Sequence, residues 1–148
     1  AIFKIRTFLR VMRRLKASLK DDPPDLLILI DYPDFNLPLA KAARKLRIKV
    51  LYYISPQVWA WRKGRINAIC ETVDQMVVIL PFEEEFYRQA GVNVTFAGHP
   101  LLDEIKIKHS RREVINSLGF KEEAVTVALL PGSRKNEVSR LLPEMLAA

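Results

Sequence analysis

Five consecutive aliphatic residues, Leu26-Leu27-Ile28-Leu29-Ile30, run directly into Asp31-Tyr32-Pro33-Asp34-Phe35-Asn36, and no other stretch limits the fold so sharply. A run without polar alternation predicts a strand buried on both faces, as in a parallel sheet. Asp31 then stands at the strand's carboxyl end, the side on which open α/β sheets bind ligands. Two readings of this end stay open on local sequence. Asp31 and Asp34 are candidates for chemistry, with Asn36 close by. Equally, Asp and Pro are ordinary turn residues, Pro33 favours an extended Tyr32, and Asn36 can cap the following helix.

The same strand-to-helix alternation recurs along the chain. Leu37 to Arg47 has the spacing of a helix with one buried face, and Ile48 to Ile54 reads as a second strand ending at Ser55-Pro56. Strand, helix and strand within about thirty residues favour a parallel sheet with right-handed crossovers. Asp31 and Ser55 then border one crevice. Ser55 can cap a helix from Pro56 to about Thr72, which would carry Trp59, Trp61, Arg62 and Arg65. Two tryptophans two residues apart cannot share a helical face, so one packs inward while the other borders a groove. Aromatics beside arginines suit phosphate, sugar or base contact, but a core Trp with a solvated basic turn fits equally well.

Gln75 to Leu80 reads as a third strand and Val92 to Ala97 as a fourth, with a short helix between them that opens on Pro81 and Glu83-Glu84-Glu85. Acids in a first helical turn complement the helix dipole, and this reading outweighs a metal site. Gly98 permits a tight turn or close approach to a ligand, and His99 suits phosphate contact, the role of an acid, or a hydrogen bond within the turn. Residues 106–119 are more polar and read as a connection. Ala124 to Leu130 reads as a fifth apolar strand, ending at Pro131-Gly132-Ser133-Arg134 before a last helix. Backbone N–H groups of Gly132 and Ser133 with the Arg134 guanidinium form a possible phosphate cradle, although Ser133 can also serve simply as a cap.

Composition narrows the class. A chain of 148 residues, 49% hydrophobic and 28% charged, can bury a real core and contains no apolar run of bilayer length. Cys70 stands alone, which excludes an internal disulfide and favours a small packed residue. No Cys or His pair has zinc-ligand spacing, and no Asp-x-Asp pair is available for a metal diphosphate; neither metal nor cofactor is expected. The net charge of +7 resides in residues 1–20, which hold Lys4, Arg6, Arg10, Arg13, Arg14, Lys16 and Lys20 without an acid. Ile5, Phe8, Leu9, Met12, Leu15 and Leu19 recur there at helical spacing. That segment is either a crossover helix with a solvated basic face or a surface for an anionic membrane or nucleic acid. A start at Ala1 without Met and a stop at Ala147-Ala148 within a helical pattern suggest a chain cut at both ends.

Five blocks taken together, Ile30–Asn36, Ser55–Arg62, Leu80–Glu83, Gly98-His99-Pro100 and Leu129–Arg134, resemble the lipid-A-disaccharide synthase family in order and content. The resemblance implies a Rossmann-like parallel sheet with flanking helices, part of a two-lobed GT-B glycosyltransferase fold. Residues 1–105 would belong to the amino-terminal acceptor-side lobe, 106–119 to the connection, and 120–148 to the start of the nucleotide-sugar lobe. The implied activity of the complete enzyme is inverting transfer of 2,3-diacylglucosamine from UDP-2,3-diacylglucosamine to 2,3-diacylglucosamine 1-phosphate, independent of metal. This chain alone is expected to be inactive. By the same resemblance Asp31 is the preferred general base, Asp34 a second or orienting carboxylate, and Gly132, Ser133 and Arg134 the donor-diphosphate site. Asn36, Ser55, Trp59, Trp61, Arg62, Gly98 and His99 are candidates for the substrate groove. Acylated substrates imply a peripheral position on the cytoplasmic face of the inner membrane, reached through residues 1–20, and no nucleic acid partner. The alternatives are another GT-B UDP-sugar enzyme, or a non-enzymatic basic module that binds nucleic acid or a membrane surface.

Overall fold

The aliphatic run forms β1 (Leu26–Ile30), and three more parallel strands follow it: β2 (Lys49–Tyr53), β3 (Gln75–Val78) and β4 (Val94–Phe96). The computed structural model describes residues 2–59, 64–121 and 123–148. It divides into two compact units, residues 1–105 and 106–148. In the first unit the sheet order is β1-β2-β3-β4, joined by α2 (Pro33–Lys45), α3 (Arg65–Thr72) and α4 (Pro81–Gln89). The expected α/β class is therefore observed, a parallel four-stranded sheet with flanking helices.

Crossovers of one hand in a sheet of that order bring the connecting helices to the same face. The burial pattern agrees. Leu29, Val50, Tyr52, Met76 and Val78 point to the helix-covered face and are buried together with Leu39, Ala40, Ala43, Ile69 and Tyr87. The opposite face is open at β1, where Ile28 is 56% and Ile30 57% exposed. This corrects the expectation of a strand buried on both faces. β1 pairs only with β2, at the edge of the sheet, and the helices of this unit cover one side of it.

A long first helix, α1 (Ile2–Asp21), packs on α2, and its Phe8, Met12 and Leu19 join the core; the Phe8 and Phe35 rings meet edge to face with centroids 5.0 Å apart. Burying such side chains stabilises by about 1.5–3 kcal/mol each. Half of the apolar stripe of α1 (Phe8, Met12, Leu19) is thus used within the fold, whereas Ile5, Leu9 and Leu15 stay exposed. Arg6, Arg10, Arg13 and Arg14 line a shallow groove on another part of the helix. Among the described residues no helix is long and apolar enough to cross a membrane.

Asp74 ties three elements together. It accepts from the Val50 N–H at 2.9 Å, Lys49 Nζ at 3.1 Å and an Arg44 guanidinium nitrogen at 3.2 Å. Burial pushes its carboxyl up, but these donors outweigh that effect and hold it below the ordinary carboxylate value.

The second unit holds α6 (Arg111–Ser117) and α7 (Lys135–Ala147), whereas α5 (Leu101–Glu104) closes the first. Ser110 caps α6 reciprocally with Glu113: the Glu113 N–H donates to Ser110 Oγ at 3.3 Å, and the Ser110 N–H to Glu113 Oε2 at 2.7 Å. The expected strand over 124–130 is not formed. A strand needs a ladder partner, and the described residues of this unit supply none; Val125 is 94% exposed. Cys70, expected to be packed, is exposed on α3, with its thiol 3.3 Å from the Ala90 carbonyl oxygen.

Candidate functional site

At the carboxyl end of β1 the backbone turns through two consecutive left-handed residues, Asp31 (φ 46) and Tyr32 (φ 40). Non-glycine residues in this region cost about 1–3 kcal/mol each and persist where surrounding structure over-determines them. Tyr32 is therefore not in the extended conformation that Pro33 favours. Four hydrogen bonds hold the turn. The Asp31 N–H donates to the Tyr53 carbonyl at 3.0 Å, and the Tyr52 hydroxyl donates to the Asp31 carbonyl at 2.6 Å. Asn36 Nδ2 donates to the carbonyls of Ile30 at 2.9 Å and Asp31 at 2.7 Å. Asn36 thus lies inside α2 and reaches back to the strand end, rather than capping the helix from outside. Burial, and after it the nearby Asp31 charge, push the Tyr52 phenol up, which keeps it a donor at neutral pH.

This turn borders a cleft of about 520 Å³ at the strand ends, with Asp31, Asp34, Ser55, Gln57, Val58 and Arg65 in its wall. The two carboxylates differ in their surroundings. Asp34 is ion-paired to Arg65 at the start of α3. The Asp31 carboxylate has no hydrogen-bond or ion-pair partner among the described residues and is exposed.

Ser55 is buried and does not cap a helix, because α3 begins only at Arg65. Its hydroxyl instead donates to Glu83 Oε1 at 2.5 Å, and Trp59 Nε1 donates to the same oxygen at 3.2 Å. Trp59 also packs edge to face on Phe82, centroids 5.0 Å apart. Trp61 and Arg62 lie outside the described residues. Gly98 (φ 85) and His99 follow β4 and are not in the cleft wall; His99 Nδ1 accepts from the Leu101 N–H at 3.2 Å.

In the second unit, Gly132, Ser133 and Arg134 precede α7. Glu137 fills their donors. Its Oε2 accepts from the N–H groups of Ser133 at 3.3 Å and Arg134 at 3.2 Å, and its Oε1 from the Arg134 guanidinium at 2.6 Å. The Arg134 contact holds the Glu137 carboxyl below its usual value. Gly132 is required here: its φ is +116, and an added Cβ would lie 2.7 Å from Glu137 Oε2. These donors are of the kind that receive a phosphate, and a carboxylate of the same helix receives them in this arrangement. Among the described residues no group of three His, Cys, Asp or Glu side chains is gathered as metal ligands.

Reading the sequence singled out Asp31, Asp34 and Ser55 but not Tyr52, Gln57 or Glu83. Tyr52 and Glu83 are buried polar groups inside apolar or helix-start patterns, so periodicity absorbs them. A Glu two residues after a proline at a helix start signals a cap and nothing more.

Comparison with known proteins adds to this geometry. The profile of the family described as lipid-A-disaccharide synthetase matches residues 1–148. A lipid-A-disaccharide synthase of Syntrophus aciditrophicus is 63% identical over 145 residues, covering 98% of this chain and 38% of that protein. Those of Trichlorobacter lovleyi and Nitrosococcus oceani are 57% and 56% identical, covering 91% and 93% of the chain and 35% of each relative. The chain therefore spans little more than a third of the length of these relatives. With a match along its whole length and such identity to several relatives, the chain belongs to the lipid-A-disaccharide synthase family.

Proposed function

We propose that the complete enzyme containing this chain transfers 2,3-diacylglucosamine from UDP to 2,3-diacylglucosamine 1-phosphate, with Asp31 as general base. The observation that carries the assignment is the Asp31 carboxylate at the mouth of the strand-end cleft, without a partner among the described residues, in a chain of this family. In the reaction the acceptor hydroxyl attacks the anomeric carbon of the donor and the bond from that carbon to the UDP oxygen breaks. Asp31 takes the hydroxyl proton. A base must be free to accept, and Asp34 is engaged by Arg65, which suits it to orient the loop or the acceptor. Ser133, Arg134 and the Gly132 turn suit the departing diphosphate, whose charge grows in the transition state. Binding there requires Glu137 to yield these donors.

The test is UDP release by the complete enzyme from UDP-2,3-diacylglucosamine, measured with and without the monosaccharide 1-phosphate. Acceptor-dependent release that disappears in Asp31→Asn supports the assignment. Release that is indifferent to this substitution moves the base elsewhere.

The enzyme works at the cytoplasmic face of the inner membrane in this reading, with α1 as its contact. Phe8, Met12 and Leu19 are used in the core while Leu9 stays exposed among the arginines, so that contact rests mainly on electrostatic adsorption by Arg6, Arg10, Arg13 and Arg14. Such adsorption is screened by salt, each cation contributing about 1 kcal/mol near an anionic surface. Sedimentation with anionic vesicles at low salt, lost at high salt and in Arg10→Glu/Arg13→Glu, is the expected result. Equal sedimentation with zwitterionic vesicles contradicts it.

A further inference from the structure

Glu83 is 2% exposed, one of few buried charged or polar residues among those described, and it lies outside the cleft wall. Its carboxylate nevertheless meets the wall from behind. One oxygen accepts from Ser55 at 2.5 Å and from Trp59 at 3.2 Å, and the other accepts from the Leu80 N–H at 3.3 Å, at the start of α4. A second tie runs parallel to it: the Tyr87 hydroxyl, one turn further along α4, donates to the Pro56 carbonyl at 3.0 Å. Between these ties lie Pro56, Gln57 and Val58, all in the cleft wall. Residue 54 enters this loop in a left-handed conformation (φ 62), so the loop has local strain and no regular secondary structure of its own to hold it.

We propose that Glu83 is a positioning residue for the transfer reaction: from the first turn of α4 it fixes the Ser55–Val58 part of the wall that also holds Asp31, and so sets the shape of the cleft in which the acceptor hydroxyl meets its base. The proposal rests on reading that cleft as the reaction site. Glu83 touches no reacting atom. Its two acceptor bonds on one oxygen couple Ser55 and Trp59, so loss of either end releases the same wall. A misplacement of that kind lowers the rate by disturbing alignment and not by removing chemistry.

The test uses the complete enzyme. Glu83→Gln, Ser55→Ala and the double variant are compared by kcat and KM for both substrates and by circular dichroism. Trp59 emission is read as the difference from the same variant carrying Trp59→Phe. Each single variant is expected to lose about tenfold in kcat/KM, as for one mispositioning hydrogen bond, and the double to lose no more. Dichroism stays unchanged while Trp59 emission moves to the red. A folded Glu83→Gln within about twofold of wild type, or losses that multiply in the double, overturns the proposal. Should Glu83→Gln fail to fold, Ser55→Ala and Trp59→Phe leave Glu83 in place and carry the same expectation; wild-type kcat/KM in both overturns it. Asp31→Asn separates the two readings. If both that variant and Asp34→Asn retain full turnover, the assignment of the cleft fails. If Asp31→Asn is inactive while Glu83→Gln is normal, only the positioning role fails.

Discussion

In residues 1–105 the aspartate-bearing end of β1 is fixed from several directions, by Tyr52, Asn36 and the Tyr53 carbonyl, all mounted on packed elements. In residues 106–148 the Gly132–Arg134 turn is fixed by one carboxylate, Glu137, a single helical turn away. Long-range packing of a sheet and its helices stabilises the first arrangement. The second is local, made within one helical turn. The contrast fits the roles proposed: a general base must be held at one place, whereas a diphosphate site must release its internal occupant when the donor arrives.

The contrast can be broken first at the core. In the 148-residue chain, Ile69→Ala removes a fully buried side chain and is expected to cost about 2–5 kcal/mol, whereas Val125→Ala stays within about 0.5 kcal/mol because Val125 is exposed; urea denaturation measures both. Similar costs would mean that the second unit is packed as tightly as the first. On activity, Arg134→Ala in the complete enzyme should slow transfer by about a hundredfold, or ~3 kcal/mol of transition-state stabilisation. An unchanged rate at limiting and saturating donor would remove it from the diphosphate site.

Smaller effects sharpen the comparison. Tyr52→Phe leaves the Asp31 carbonyl without its hydroxyl donor, and a loss of about 1–2 kcal/mol in chemical denaturation is expected. Asp74 has a folded pKa below its unfolded value. Its stabilising contribution is therefore fully present above the ordinary carboxylate range and fades as pH falls through the lower folded value. Asp74→Asn should flatten the acid limb of the stability profile, and an unaltered limb would assign acid loss to other groups. Least in size, Glu137→Gln weakens the internal competitor and should tighten UDP binding a few-fold by calorimetry. Weaker binding would instead make Glu137 a support that the site needs.

How much of this could be read from the sequence depends on the range of the interaction. The alternation of strands and helices over residues 26–97 is carried by local periodicity, so element types were readable. The edge position of β1 was not, because strand order arises from contacts between distant segments; five aliphatic residues look the same at an edge and in the middle. The stretch 124–130 has strand composition, but composition supplies no ladder partner. Asp31, Asp34 and Ser55 were readable as site candidates because strand ends in a parallel sheet share one side. The late start of α3 was hidden, and so was the acceptor shared by Ser55 and Trp59, because Glu83 lies more than twenty residues away in the chain.

The central claim is that the carboxylate at the end of β1, which has no partner among the described residues, takes the acceptor proton, and not its ion-paired neighbour. Single-turnover transfer by Asp31→Asn and Asp34→Asn in the complete enzyme, with donor binding measured alongside, tests it most directly. The account predicts that Asp31→Asn slows transfer by about a thousandfold with donor affinity retained, and that Asp34→Asn keeps a measurable rate. Near-normal transfer by Asp31→Asn, with Asp34→Asn inactive, would contradict it.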